Sequence, residues 1–435
     1  MRIASITAGA GGMYCGSCMK DNALAIALNA LGHDCLLIPC YTPIRLDEPT
    51  ASNSPVFLSG LTMFLQQQYG WVRNIPRFVA RWLSSPWLLH KVSGSAVKIN
   101  ASDLAPMTLS VLRGMEGNQR SEVARLCDWL EREVKPEVIL MSNVLLSGIM
   151  PELKRRLNVP IVTTLQGDDI FLEELPVESR QEAIELIRSN CALASGHIAT
   201  SRYYADFMAG YLGLPRELIH VVYPGIEIQH FHAPDEPRKT ENSVLTIGYL
   251  ARIAPEKGFH VLIDALCKLQ AMPHVPAWRF QAAGYCAGYR KDYLEENRKK
   301  AEQAGWGNRF DYIGEPDRMD KVRFLNQLDV FSVPTTYQEP KGLYLLEAWA
   351  CGVPVVQPAH GSFPELIQAT SGGVLVPQGD TTALAEQIAL LLRNTAERHR
   401  MGQAARQVVR KQFSSQAMAQ ATVEVLNRVV VRENR

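Results

Sequence analysis

The chain has 435 residues, 47% hydrophobic and 20% charged, enough apolar surface for packed cores and a length that usually divides into two or three domains. Forty-five basic residues against forty-four acidic ones leave a formal charge of +1, so no whole-protein field favours nucleic acid or a strongly acidic membrane, and any anion site must be local. Nine cysteines, odd in number and scattered among long hydrophobic segments, do not suggest a disulfide framework.

Met1 to Thr7 carries one charge and an apolar run that meets glycine by Gly9, unlike the longer apolar stretch of a signal peptide. Arg2 to Thr7 therefore reads as a first strand. No stretch approaches the roughly 20 uninterrupted apolar residues of a membrane-spanning helix. A cytoplasmic protein is expected, with peripheral membrane contact left open. The next helix carries Leu24, Ala27, Leu28 and Leu31 at i, i+3, i+4 and i+7, and Gly32 closes it. Cys15-Gly16-Ser17-Cys18 has C-x-x-C spacing without a second such pair, and Cys35 and Cys40 stand outside zinc-ribbon spacing. Structural or loop roles are expected there before redox or metal chemistry.

Asp34 to Pro39, Val138 to Met141 and Ile161 to Leu165 read as further strands separated by helix-length segments, a parallel α/β layout. Residues 54–115 break the alternation. Phe57, Phe64, Trp71, Phe78, Trp82 and Trp87 crowd there with Arg73, Arg77, Arg81 and Lys91, which suggests an inserted helical subdomain. Aromatics at helical spacing are more often core, while aromatics interleaved with bases also suit a lipid-linked acceptor or a membrane interface. Asp168 and Asp169, after Gly167, are either helix caps or acceptor-side carboxylates.

A second series of strands is expected at Ser243–Tyr249, Arg279–Ala283, Phe310–Ile313, Val330–Val333 and Val353–Gln357. The layout is then two doubly wound domains. The first is residues 1–226, Glu227 to Asn242 is a linker of loop composition, and the second is 243–412. Helical patterns resume at Thr381–Asn394 and Ser415–Val431, and a final helix within 413–435 is placed to cross back onto the first domain.

Gly248 to Gly258 ends a strand and opens a helix whose buried stripe is Phe259, Leu262, Ile263 and Leu266. Arg252 and Lys257 flank this turn, where unpaired N–H groups and the positive helix end already favour a diphosphate. The alternative is two solvated cations. Further on, Glu339-Pro340-Lys341-Gly342-Leu343-Tyr344-Leu345-Leu346-Glu347 follows a strand and a polar turn. Pro340 suits a first helical turn, Gly342 lets a phosphate approach the backbone, and Gly352 ends the helix. A carboxylate accepts hydrogen bonds from paired hydroxyls, so Glu339 suits a sugar ring and Glu347 a ribose. The alternatives are a helix-dipole partner for Glu339 and an exposed helix residue for Glu347. Together the four charged residues outline a nucleotide sugar.

This run resembles the retaining glycosyltransferases of family 4, which have the GT-B fold of two Rossmann-like domains facing a central cleft. Arg252, Lys257 and Gly258 look like the family's donor-diphosphate clamp, and Glu339 with Glu347 looks like its E-x7-E motif. Tyr223-Pro224-Gly225-Ile226 and Gly352-Val353-Pro354-Val355-Val356 with Glu365 are also similar. The resemblance covers nearly the whole chain and is strongest from Ile198 to Asp380. It implies that Glu339 contacts the transferred sugar, that Gly342 and Leu343 offer amides to the phosphates, and that Glu347 holds the ribose. Two departures stand out. Gln166 occupies the place of the family's usual His, on the sugar side. The N-terminal loop keeps the glycine pair Gly11-Gly12, counted with Gln166 among the donor contacts, but adds the C-x-x-C.

The resemblance implies a hexosyltransferase for carbohydrate biosynthesis with a UDP-, GDP- or ADP-sugar as donor and retention of configuration. The acceptor is left open among a glycan, a lipid-linked and a small-molecule one, and oligomeric state is not read from the sequence. No cofactor and no metal are expected, because the donor half lacks an Asp-x-Asp signature and Arg252 and Lys257 with two helix ends can replace a divalent ion's charge. A nicotinamide dehydrogenase fits poorly, since Gly9-x-Gly11-x-x-Tyr14 lacks the third glycine and Pro39-Cys40-Tyr41 lacks the acidic ribose partner. A sugar-nucleotide epimerase of similar fold and a non-catalytic sugar-nucleotide-binding protein remain as alternatives.

Overall fold

Strand-length apolar runs separated by amphipathic helices can bury both faces only as a parallel sheet covered on two sides, and the computed structural model is built that way. It describes residues 1–9, 16–41, 57, 101–231 and 244–433. The chain divides into two units, Met1–Pro224 with Ser415–Arg435, and Gly225–Ser414.

The first unit holds a six-stranded sheet ordered β2-β1-β3-β4-β5-β6. Its strands are β1 (Arg2–Thr7), β2 (Asp34–Pro39), β3 (Val138–Met141), β4 (Ile161–Leu165), β5 (Gly196–Ala199) and β6 (Ile219–Val221), all paired in parallel. Successive strand side chains enter different cores. Ile3, Val138, Leu140 and Val162 join Leu24 and Leu28 of the helix Gly16–Ala30 on one face. Ala4, Ile6, Ile139, Met141 and Ile161 join the helices Ala101–Leu112, Arg120–Trp129 and Val177–Cys191 on the other.

The last helix, Ser415–Glu433, belongs to this unit and closes the first of these cores with Met418, Ala419, Val425, Leu426 and Val429. Glu433 at its end pairs with Lys154 at 2.8 Å.

The second unit repeats the plan in the order β12-β11-β10-β7-β8-β9. Its strands are β7 (Leu245–Leu250), β8 (Trp278–Ala283), β9 (Phe310–Tyr312), β10 (Val330–Phe331), β11 (Val355–Pro358) and β12 (Gly373–Val376). The sequence of connections reverses beside β7, with β8 on one side and β10 on the other, so a crevice opens at the carboxyl ends of β7 and β10. β11 starts at Val355 and not at Val353, because Pro354 has no N–H to give to a ladder.

Three strands were not anticipated. β5, β6 and β12 are three or four residues long and contain His or Gly, so no apolar run announces them. The helix Thr395–Gln412 was also missed. Of the expected insert at 54–115, only Phe57 and 101–115 fall among the described residues. Its last part is the helix Ala101–Leu112, with Leu109, Val111 and Leu112 in the core. The start of the expected linker is structured, with a 3-10 turn at Ile228–His230. Just before it the Ile226 amide donates to the Phe413 carbonyl at 3.0 Å, and within it Phe231 is buried, with the Lys321 Nζ 6.0 Å from its ring.

Leu426 is fully buried in the final helix. Leu426→Ala should therefore cost about 3 kcal/mol, the usual loss for a deleted core leucine, read as a lower urea midpoint.

Candidate functional site

In the second unit β7 ends at Leu250 and a single 3-10 turn, Pro255–Lys257, leads to Gly258 and the helix Phe259–Ala271. Gly258 has φ +69°, and a Cβ there would stand 1.7 Å from the Pro334 carbonyl oxygen. Only glycine lets the loops after β7 and β10 approach so closely. The Thr336 amide laces them further by donating to the Glu256 carbonyl at 3.0 Å. The loop after β10 ends at Gly342, φ +64°, which opens the helix Leu343–Ala350.

Lys257 from one loop and Glu339 from the other meet in this seam, with Nζ 3.0 Å from Oε2. Glu339 is only 3% exposed, so a charge there requires compensation. It has several partners. Tyr337 donates to Oε2 at 2.6 Å and Tyr344 donates to the same oxygen at 3.1 Å. The amides of Lys341 and Gly342 reach Oε1 at 3.3 Å each. Burial alone would push the carboxyl up, but Lys257, the Tyr337 hydroxyl and Lys341 outweigh it and hold it at about 2. Lys257 also donates to the Tyr337 hydroxyl, and its nitrogen lies 4.8 Å from the ring centre of Tyr337 and 5.4 Å from that of Tyr344.

The remaining candidates sit around this pair. Arg252 is half exposed and pairs with Glu256 at 3.3 Å, while Arg290, from the loop after β8, approaches the same carboxylate at 3.9 Å. Glu347 is largely buried and bound by Lys321 at 2.8 Å, so it is not the exposed helix residue that its position also allowed. Gly342 and Leu343 stand at the helix's positive end. After β11, Gly361 is pressed against the Glu339 backbone, where a Cβ would lie 2.5 Å from the carbonyl oxygen. Its amide donates to Gln338 at 2.9 Å, and the Ser362 amide donates to the Glu339 carbonyl at 2.8 Å.

In the first unit Gln166 is buried at the end of β4. Its Nε2 donates to the Ser142 carbonyl at 2.6 Å, and its Oε1 has no hydrogen-bond partner among the described residues. Asp168 accepts from the amides of Gln166 at 2.9 Å and Val144 at 3.2 Å, and burial pushes its carboxyl up to about 6. Asp169 accepts from Tyr204 at 2.5 Å. Asp168 thus ties the end of β4 to the first residue of the 3-10 helix Val144–Ile149, and Asp169 ties the start of the helix Asp168–Glu173 to the helix Arg202–Leu212. Gly11, Gly12 and Cys15 lie outside the described residues. Cys18, Cys35 and Cys40 are buried, and burial pushes the thiols of Cys35 and Cys40 up to about 12, as expected of core residues. No helix among the described residues is long and apolar enough to cross a membrane.

Comparison with known proteins agrees with this architecture. Residues 108–230 match the model of Glycosyltransferase Family 4, and residues 233–408 match that of Glycosyl transferases group 1. The chain belongs to glycosyltransferase family 4. Among its relatives are WcaL of Escherichia coli, named for colanic acid biosynthesis, at 30% identity over 61% of this chain, and the amylovoran biosynthesis glycosyltransferase AmsK of Erwinia amylovora, at 28% over 62%. The match spans 64% of the length of each. The Anabaena protein HepE, solved in complex with UDP, has the same GT-B fold, with a TM-score of 0.68, 19% identity and coverage of 98% of this chain and 100% of that one.

Within this family 4 chain the structure therefore brings Lys257, Glu339, Gly342 and Leu343 to one crevice, with Arg252 and Glu347 at its sides. Sequence reasoning missed Tyr337, Tyr344, Lys321, Arg290 and Gly361. The tyrosines were visible beside Glu339 in the chain, but nothing in their spacing says that both hydroxyls turn to one oxygen.

Because the carboxyl of Glu339 is held at about 2, below the ordinary glutamate value of about 4.3, its contribution to stability is complete above that value. It is lost as pH falls through about 4 towards 2. Urea midpoints measured from pH 7 to pH 2 should show Glu339→Gln less stable than the parent at pH 7, with a shallower acid decline.

Proposed function

We propose that the protein is a retaining, metal-independent glycosyltransferase that moves a sugar from a nucleoside diphosphate sugar to an acceptor hydroxyl. The observation that carries this reading is the Lys257–Glu339 pair at 3.0 Å, set between a strand-end turn and a helix N-terminus at the switch point of the second sheet. The complex of HepE with UDP supports trying UDP-sugars first. The names of WcaL and AmsK support a glycan acceptor.

An ammonium has three N–H donors. Tyr337 and Glu339 take two of them in Lys257, and the third serves a phosphate oxygen. Arg252 exchanges Glu256 for the diphosphate. The amides of Gly342 and Leu343 and the positive helix end complete the anion site, and Glu347, held by Lys321, takes the ribose. Glu339 accepts from sugar hydroxyls. When the bond between the anomeric carbon and the phosphate oxygen breaks, its electron pair stays on the diphosphate, where these cations and amides stabilise it most. The acceptor oxygen forms the new bond on the same face, and its proton passes to the departing phosphate oxygen. With the leaving charge met in this way, a divalent ion is not needed.

Incubation with UDP-, GDP- and ADP-sugars, with and without a glycan acceptor, tests the reading. Transfer with retained anomeric configuration, unchanged by a chelator, is expected. Epimer formed without acceptor would replace the transferase by an epimerase, and donor binding with neither hydrolysis nor transfer would leave a binding protein. Arg252→Ala and Lys257→Ala should each weaken donor binding and turnover by about 2 to 3 kcal/mol, the scale of a lost charge-assisted contact. Unchanged kinetics in both would remove the clamp from the mechanism.

A further inference from the structure

The two oxygens of Glu339 are occupied very unequally. Oε2 receives Lys257 at 3.0 Å, Tyr337 at 2.6 Å and Tyr344 at 3.1 Å, more donors than the two lone pairs of one carboxylate oxygen accommodate well. Among the described residues Oε1 receives only the amides of Lys341 and Gly342, both at 3.3 Å, beyond the normal range of an N–H···O bond. We propose that Tyr337 and Tyr344 are positioning residues that, with Lys257, fix Oε2 of Glu339 so that Oε1 is the oxygen turned to the donor's sugar. This rests on the transferase reading.

The two hydroxyls come from different elements, Tyr337 from the loop after β10 and Tyr344 from the first turn of the helix Leu343–Ala350. Tyr344 is set in place by Phe363, edge-on at 6.4 Å between ring centres, and by Phe331 at 6.3 Å. Tyr337 is fixed by its bonds at both ends, since its hydroxyl accepts from Lys257 and donates to Glu339. Its only proton is thus committed to the carboxylate. Both rings flank the ammonium, so one pair of side chains sets the position of the cation and of the anion together.

A sugar hydroxyl arriving at Oε1 competes only with two long amide contacts. One of them is the N–H of Gly342, which Glu339 would then release to the phosphate. Sugar and diphosphate thereby prepare each other's site, and a nucleoside diphosphate without its sugar draws only on the phosphate side.

Removing either hydroxyl while keeping its ring leaves the cation–π contacts and the packing in place. It deletes one hydrogen bond to the ionised carboxylate, which favours protonation. The other groups acting on Glu339 are Lys257, Lys341 and His360. Burial lowers the imidazole of His360, whose Nε2 is bonded to the Thr335 carbonyl at 2.9 Å. Both phenols are driven well above their ordinary value by burial and then by Glu339, so neither changes charge over the working range.

The test uses Tyr337→Phe, Tyr344→Phe and the double variant in the full chain. Carbon-detected NMR of the Glu339 side-chain carboxyl, without donor, should show its titration midpoint raised in each. UDP affinity by calorimetry should be unchanged, while kcat for sugar transfer falls about tenfold per hydroxyl, as for one hydrogen bond to a charged group, with KM moving less. An unmoved midpoint in both single variants, or an unchanged kcat in the double, overturns the proposal. A raised midpoint in a protein that turns over no sugar nucleotide supports the anchoring of Oε2 and defeats the transferase reading instead.

Discussion

A buried ion pair between the loops after β7 and β10 organises the second unit's site. Lys257 and Glu339 are 82 residues apart in sequence and 3.0 Å apart in space, Glu339 buried and Lys257 largely so. Removing either charge would leave the other unpaired, which costs several kcal/mol for a buried ion, so the pair adds to the backbone contacts that join the two loops. Such a pair is weak evidence for stability, because an apolar pair of similar volume often serves equally well. Under the transferase reading, its place at a strand-end crevice serves a bound anion and a bound polyol.

Backbone geometry is what allows the pair to form. Gly258 lets one loop touch the Pro334 carbonyl, and Gly361 lets the loop after β11 lie against the Glu339 backbone. With a side chain at either place, a loop would be displaced by more than the tolerance of a hydrogen bond. The two glycines are thus as much a part of the site as the charges. Three strand-end loops, after β7, β10 and β11, are clamped in this way at the point where the strand order reverses. The loops are thereby fastened to one another by close backbone approach and hydrogen bonds.

Much of this was legible in the chain. β1 to β4 were read from apolar runs with the observed bounds, because strands buried on both faces carry an unbroken hydrophobic signal. The charged members of the site were legible because Arg252, Lys257, Glu339 and Glu347 flank helix starts. The short strands β5, β6 and β12 were not, since three or four residues with His or Gly carry no period. Nor were Tyr337, Tyr344 and Lys321. Their roles depend on contacts between elements, from residues 26 and 80 positions apart or from the two sides of the turn before the helix Leu343–Ala350, and no repeat in the sequence gives such pairings. Phe231 was absorbed into a presumed linker by its neighbours' composition, while its own burial makes it part of the second unit.

The first unit achieves order at its strand ends by different means. There Thr7 donates to Asp21 at 2.8 Å and Ser142 donates to Thr7 at 3.2 Å, while Gln166 donates to the Ser142 carbonyl. Hydroxyls and an amide thus line the ends of β1, β3 and β4, and Gln166 itself does not titrate. Its Oε1 offers one acceptor, and a hydroxyl is the simplest group to meet it. The imidazoles of His197 in β5 and His220 in β6 are both lowered by burial, His197 to about 4 with His220 as the second cause, and His197 is bonded to Thr163 at 2.7 Å. Beside these hydroxyls Lys20 and Asp21, both buried, pair at 3.3 Å. The strand ends of the first unit are thus ordered by hydroxyl and amide hydrogen bonds, whereas those of the second unit are ordered by the Lys257–Glu339 pair.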